Sequence, residues 1–236
     1  MMKKAVAFAW CFLLAVALCA CSPPAEDIDE PAETAGAESA VAERQTYDLT
    51  EEGAPGSSVT VETTTVGEAV PAADSINEQL RKLADAYVAE KTAEDVMIYA
   101  GGDGAAYTHE RAYEVVYEGG GMISVVAHSF DDSETAARSS EEIYAYVFDT
   151  GTGARVALSD VLGSDWADIL QRYVSGQIRA SGQEDVYYPN YAELIPAALG
   201  GDCWYLTEGE LHLLFNADVI GPRMLGPLEF VYPLAQ

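Results

Sequence analysis

Residues 58–66 read Ser-Val-Thr-Val-Glu-Thr-Thr-Thr-Val, a β-branched run that predicts a strand. The period then changes. Ile76, Leu80, Leu83, Ala84, Tyr87 and Val88 recur at helical spacing, and Ser75 followed by Glu78 fits a capping box, so a helix is expected from Ser75 to about Glu90. Tyr113, Val115 and Tyr117 alternate with Glu114 and Glu118, Gly119-Gly120-Gly121 offers a turn, and residues 122–130 return. This predicts a hairpin with one solvated face. Residues 143–148 add a strand, closed by the turn signal Asp149-Thr150-Gly151-Thr152-Gly153. Ser164 can cap a second helix, in which Trp166, Ile169, Leu170, Tyr173, Val174 and Ile178 form one apolar stripe. After a loop rich in Gly, Pro and Tyr come a short apolar segment at 191–199 and strands at 204–206, 211–215 and 228–234. Hairpins with two inserted helices predict an α+β fold, an antiparallel sheet built from hairpins with two main helices packed on it.

The chain before residue 58 has a different character. Lys3 and Lys4 precede an apolar run from Ala5 to Ala17, and Leu18-Cys19-Ala20-Cys21 follows. A basic start, a short apolar core and a small residue before a cysteine form the layout of an exported, cleaved segment. The run is too short for a membrane span, which needs roughly 20 apolar residues. It resembles the bacterial lipobox, which implies that residues 1–20 are a lipoprotein signal peptide and that Cys21 becomes the lipid-modified first residue. The chain is then expected in the cell envelope, held by lipid on the extracytoplasmic face of a membrane. Residues 21–57, rich in Ala, Glu, Pro and Gly, read as a flexible acidic tether. Residues 58–236 are left as the globular domain, with a sub-boundary expected near 131–141.

Charge and cysteine content narrow the chemistry. The formal net charge is −27, and loss of Lys3 and Lys4 with the signal takes it to −29. Such a field repels nucleic acid and anionic headgroups and favours cationic partners. Of the four cysteines, Cys11 and Cys19 leave with the signal and Cys21 is lipidated, so only Cys203 remains. An intrachain disulfide and a multi-thiolate metal site are excluded.

Three stretches carry a family resemblance. Pro71, Ile76 and Asn77 fall in the strand, proline and helix stretch of residues 59–88. Phe148-Asp149 is followed by Thr152-Gly153, Leu158 and Asp160, and Phe215, Ile220, Pro222 and Gly226 precede the last strand. Together they resemble the paired extracytoplasmic domains of unknown function of the RsiV/PdaC type. Ala154, Ala217, Asp218, Val219 and Arg223 depart from that pattern, and Ser139-Ser140-Glu141-Glu142 replaces its Gly-Gly-Ala-His segment. The resemblance implies an extracellular α+β binding or sensing domain, with a cationic protein such as lysozyme, the partner of RsiV, or a cell-envelope component as its target.

No catalytic constellation emerges. His109, His128 and His212 lie in strand-like segments without metal spacing, and no Gly-x-Ser-x-Gly or EF-hand loop occurs. Neither metal nor cofactor is expected. The pairs Asp131-Asp132 and Glu141-Glu142 offer the two carboxylates of a glycoside hydrolase, but 39 acids make such pairs common. Asp149 and Asp160 read as turn and helix-start acceptors. For partner binding, the aromatic loop Tyr187, Tyr188 and Tyr191 is the first candidate, and the acidic loop of Asp131 and Asp132 the second. The expected function is non-enzymatic binding or sensing. The alternatives are a carboxylate-dependent peptidoglycan hydrolase and a purely structural envelope lipoprotein.

Overall fold

A computed structural model describes residues 43–102, 104–133 and 139–234. The signal segment, Cys21 and the first half of the expected tether lie outside these residues. In chain order, with two single 3-10 turns besides, the elements are β1 (Glu43–Asp48), β2 (Ser58–Thr63), α1 (Ala73–Ala100), β3 (Tyr107–Gly119), β4 (Met122–Ser133) and β5 (Ser140–Asp149). Then follow α2 (Leu158–Leu162), α3 (Trp166–Ser181), α4 (Tyr191–Leu199), β6 (Trp204–Thr207), β7 (Glu210–Phe215) and β8 (Leu228–Pro233). The fold is α+β, as the pattern predicts.

The strands form two sheets, β1-β2-β3-β4-β5 and β6-β7-β8. All pairings are antiparallel except β2 with β3, which is parallel. A parallel pair needs a long crossover, and α1 is that crossover. Its apolar stripe, Ile76, Leu80, Ala84 and Tyr87, is buried on the inner face of the large sheet against Val59, Val61, Tyr113, Val125, Tyr146 and Phe148. The helix runs ten residues beyond Glu90, carrying Lys91 and Asp95 onto the sheet. It also begins before Ser75, with Ala72 at its cap position and no side-chain cap. Ser75 therefore lies inside the first turn and Glu78 pairs instead with Lys82 at 2.7 Å.

The small sheet packs on part of the outer face of the large one. Leu214 is buried with Val126 and Ala145, and the Leu206 amide donates to Ser124 Oγ at 3.0 Å. Its other side is covered by α3 and α4, with Leu170, Val174, Ile178, Ile195 and Leu199 meeting Leu211, Leu213 and Phe215. Asn216 seals the free edge of β5, accepting from the Ile143 amide at 2.7 Å and donating to its carbonyl at 3.1 Å.

The tether expected over residues 21–57 is corrected over residues 43–57. Residues 43–48 pair along their whole length with β2, Leu49 and Ala54 are buried, and the Ser57 hydroxyl accepts from the Tyr107 amide at 3.0 Å. Every β1 side chain is exposed, so no apolar alternation marks this edge strand in the sequence.

Candidate functional site

The aromatic loop does not form one exposed patch. Tyr191 begins α4, is 5% exposed and donates to Glu184 at 2.8 Å. Its ring anchors the core around α3, so it leaves the set of contact residues. Tyr187 is half-buried against Tyr191, their ring centroids 5.8 Å apart. Tyr188 is half-buried too, and its hydroxyl donates to Asp218 while its amide donates to the Ile220 carbonyl at 3.1 Å. These tyrosines brace the 216–226 segment.

Asp131 and Asp132 are not loop residues but the end of β4, and strand geometry sends neighbours to opposite faces. Asp131 points inward and Asp132 outward. Glu142 likewise faces inward, accepting from Tyr144 Oη at 2.8 Å, and Glu141 outward. Neither sequence-adjacent pair can close on one substrate bond.

Asp131 is the hub of a charged cluster between α1 and the inner face. His109 on β3 is 3% exposed, with Nδ1 2.8 Å from Asp131 Oδ1 and Nε2 3.1 Å from Asp95 Oδ1. Lys91 Nζ donates to Asp131 Oδ2 at 2.9 Å and to Glu94 at 3.2 Å, and Tyr87 Oη donates to Asp131 at 3.3 Å. A neutral imidazole has one N–H, whereas both ring nitrogens here face carboxylates, so the ring is held as the cation. Burial alone would lower the His109 pKa, but its hydrogen bonds to Asp131 and Asp95 prevail and raise it above 6.5. Burial alone would raise Asp131, yet His109 and Lys91 hold it at about 2. The cluster clamps α1 to β3 and β4.

Asp149 Oδ1 accepts from the Thr152 amide and hydroxyl, each at 2.7 Å, and Asp160 Oδ2 from the Ala157 amide at 2.9 Å. Both do the local capping expected of them. Cys203 is free and half-buried, and burial pushes its thiol up to about 11. His212 is hydrogen-bonded to Glu229 at 2.7 Å and stacked on Tyr205 at 4.4 Å. Among the described residues no three His, Cys, Asp or Glu side chains are placed to hold a metal.

The concave surface lies on the part of the large sheet's outer face that the small sheet leaves open. Two rungs of side chains cross it. Thr46, Thr60, Glu110, Phe130 and Glu141 are register neighbours from β1 to β5, and Arg44, Glu62, Ala112, His128 and Ile143 form the next rung. All of these but Thr46 and Ile143 line a hollow of about 210 Å3. Phe130 is 44% exposed and stands between two glutamates, Glu110 and Glu141. A second hollow, of about 380 Å3, continues from Phe130 and Glu141 to Arg223 and the 80% exposed Met224. Tyr188 and Asp132 thus border this groove only indirectly, one through the 216–226 segment and the other as the next outward residue after Phe130.

The sequence signal for this face is a large aromatic in a polar phase: outward positions 126, 128, 130 and 132 of β4 read Val, His, Phe, Asp. His109 carries the converse signal, a polar residue in the apolar inward phase of β3. Both phases require the strand bounds before they can be read.

An α+β domain with a two-layered β core, a long crossover helix and one open sheet face is the class this geometry defines. No family model matches the sequence, and no curated protein matches it. Solved structures do. A DUF3298 family member from Bacteroides fragilis superposes with a TM-score of 0.57 at 17% identity, over 83% of this chain and 89% of that one. A DUF3298 family protein from Pseudomonas aeruginosa PAO1 gives 0.51 at 16% identity, over 82% and 88%. At these identities the likeness is one of fold.

Proposed function

We infer that the chain is a lipid-anchored extracytoplasmic binding domain that receives a cationic protein, or a cationic envelope component, on the open face of its large sheet. The observation carrying this reading is the rung Glu110–Phe130–Glu141. An aromatic face flanked by carboxylates attracts a cation and gives its alkyl stem an apolar bed. Exposed Phe130 and Met224 supply the apolar contact that a charged rim alone lacks. The overall charge of −27 adds long-range attraction. Structural likeness to DUF3298 proteins, a family of unknown function, is compatible with a binding role and names no ligand.

The test is titration of the full chain with lysozyme and with other cationic proteins at low ionic strength. Phe130→Ala and Glu110→Gln, both exposed substitutions, should each weaken binding by about five- to tenfold while leaving the melting temperature unchanged. Absence of binding at low salt overturns the reading. For the anchor, Cys21→Ala should shift the chain from the membrane fraction to the medium. A variant that stays membrane-bound after signal cleavage removes the lipid from the reading.

A further inference from the structure

The open face already holds a cation of this chain beside Phe130. Arg44 on β1 stands directly opposite Glu62 on β2, and its guanidinium lies 4.0 Å from Glu62 and 3.6 Å from Glu110, the glutamate next to Phe130. It therefore reaches across β2 to the second strand beyond its own, into the hollow rather than away from it. The other arginine at this level is differently placed: Arg111 is turned to the inner face, 3.9 Å over the Tyr87 ring and 2.7 Å from Ser129 Oγ. Arg111 still lines the floor of the hollow, but its guanidinium is engaged on the inner side. The hollow beside Phe130 thus presents Glu62, Glu110 and Glu141 with Arg44 as a displaceable plug, since the Arg44 side chain is 60% exposed and its two ion pairs are solvent-screened, and Arg223 lies in the second hollow.

We propose that Glu62 and Glu110, next to Phe130, form a guanidinium subsite which Arg44 occupies in cis, and that a partner's arginine binds by displacing it. This rests on the reading of the open face as the binding surface and specifies both the ligand group and its competitor. Arginine suits the place better than lysine. Its planar fork can bridge two carboxylates on different strands and stack on a phenyl ring, where an ammonium acts as a point charge. Charge complementarity favours a basic, extended segment lying across the rungs, one cation at Glu62 and Glu110 and the next at Glu141. An internal competitor lowers apparent affinity by the fraction of time it fills the subsite.

The experiment titrates the full chain with a hexa-arginine peptide at low ionic strength. Arg44→Gln should bind about three- to tenfold more tightly than the native chain, the scale of two exposed ion pairs. Arg172→Gln, an exposed change of equal charge on α3, should stay within about twofold. Glu110→Gln should weaken binding and erase the advantage of Arg44→Gln. As a second measurement, the Nε–H resonance of Arg44 in the native chain should shift toward that of a free arginine as peptide is added. If Arg44→Gln behaves as Arg172→Gln, or the Arg44 resonance does not move at saturation, occupancy in cis is wrong, while peptide binding lost in Glu110→Gln leaves the open-face reading standing. If no chain binds the peptide, both fail.

Discussion

A buried imidazole with a carboxylate on each ring nitrogen ties stability to pH in a fixed direction. His109 has a folded pKa above its ordinary 6.5, so its contribution is complete below about pH 6.5 and is lost as pH rises through the raised value. Asp131 is depressed from 3.8 to about 2, so its contribution is complete above about pH 4 and is lost as pH falls toward 2. The clamp is therefore strongest between about pH 4 and 6.5. Removing the ring with His109→Gln leaves Asp95 buried without its cation and should cost about 3–5 kcal/mol at pH 6. In thermal unfolding, the gap between native chain and variant should narrow above pH 7; a gap that widens there refutes the cationic ring. Gly153 is a second single-residue constraint. Its φ is +73°, and an added Cβ would lie 2.7 Å from Ser75 Oγ and 2.8 Å from Ser75 Cβ. Gly153→Ala should cost about 2 kcal/mol or more, read by denaturant unfolding, since the left-handed conformation alone costs roughly 1–2. At this scale the sequence spoke clearly where one residue acts locally, as Asp149 and Asp160 do. It was silent on His109, whose partners come from positions 14 residues before it and 22 after it.

Elements were legible in proportion to how far their own pattern carries their burial. The α1 stripe and the β3–β4 hairpin stand out because 3.6- and 2-residue periods map directly onto one covered face. Where α1 stops is another matter, because beyond Glu90 its anchoring passes largely to the polar side chains Lys91 and Asp95, with Val96 the apolar contact. Strand β1 defeats periodicity altogether. It is held by backbone pairing and by the Thr46–Thr60 hydroxyl contact at 3.0 Å, with all six side chains exposed. Its role is to close the edge of β2, whose Val59 and Val61 are buried. A chain beginning at Leu49 should lose about 2 kcal/mol, the order of a few edge hydrogen bonds. Light scattering should then show concentration-dependent association through the opened β2 edge. A monodisperse, undiminished protein would mean that β1 is dispensable.

For the molecule as a whole, composition and hairpin count led to the α+β class but not to the division into two sheets. A β-branched segment such as β2 carries no mark of whether its neighbour runs parallel, and here the answer lies in α1 crossing over the sheet. The two binding patches sought in the sequence are each divided by the fold for a related reason. Tyr191 was drawn into a core built by distant elements, and Asp131 was turned inward by its strand phase, leaving the open face to Phe130 and its flanking glutamates. That face also has a mechanical side, because its plug sits on the outermost strand. Force applied through the residues preceding Glu43 loads β1 from its free end, where Glu43 opposes Thr63, and opens the β1–β2 ladder one rung at a time toward the turn at 49–57. Single-molecule stretching between the N-terminal segment and residue 234 should show a small early extension of about six residues, followed by the rupture of the rest. Arg44 lies on the second rung to open, so tension on the chain would uncover Glu62 and Glu110 before any of the core is disturbed.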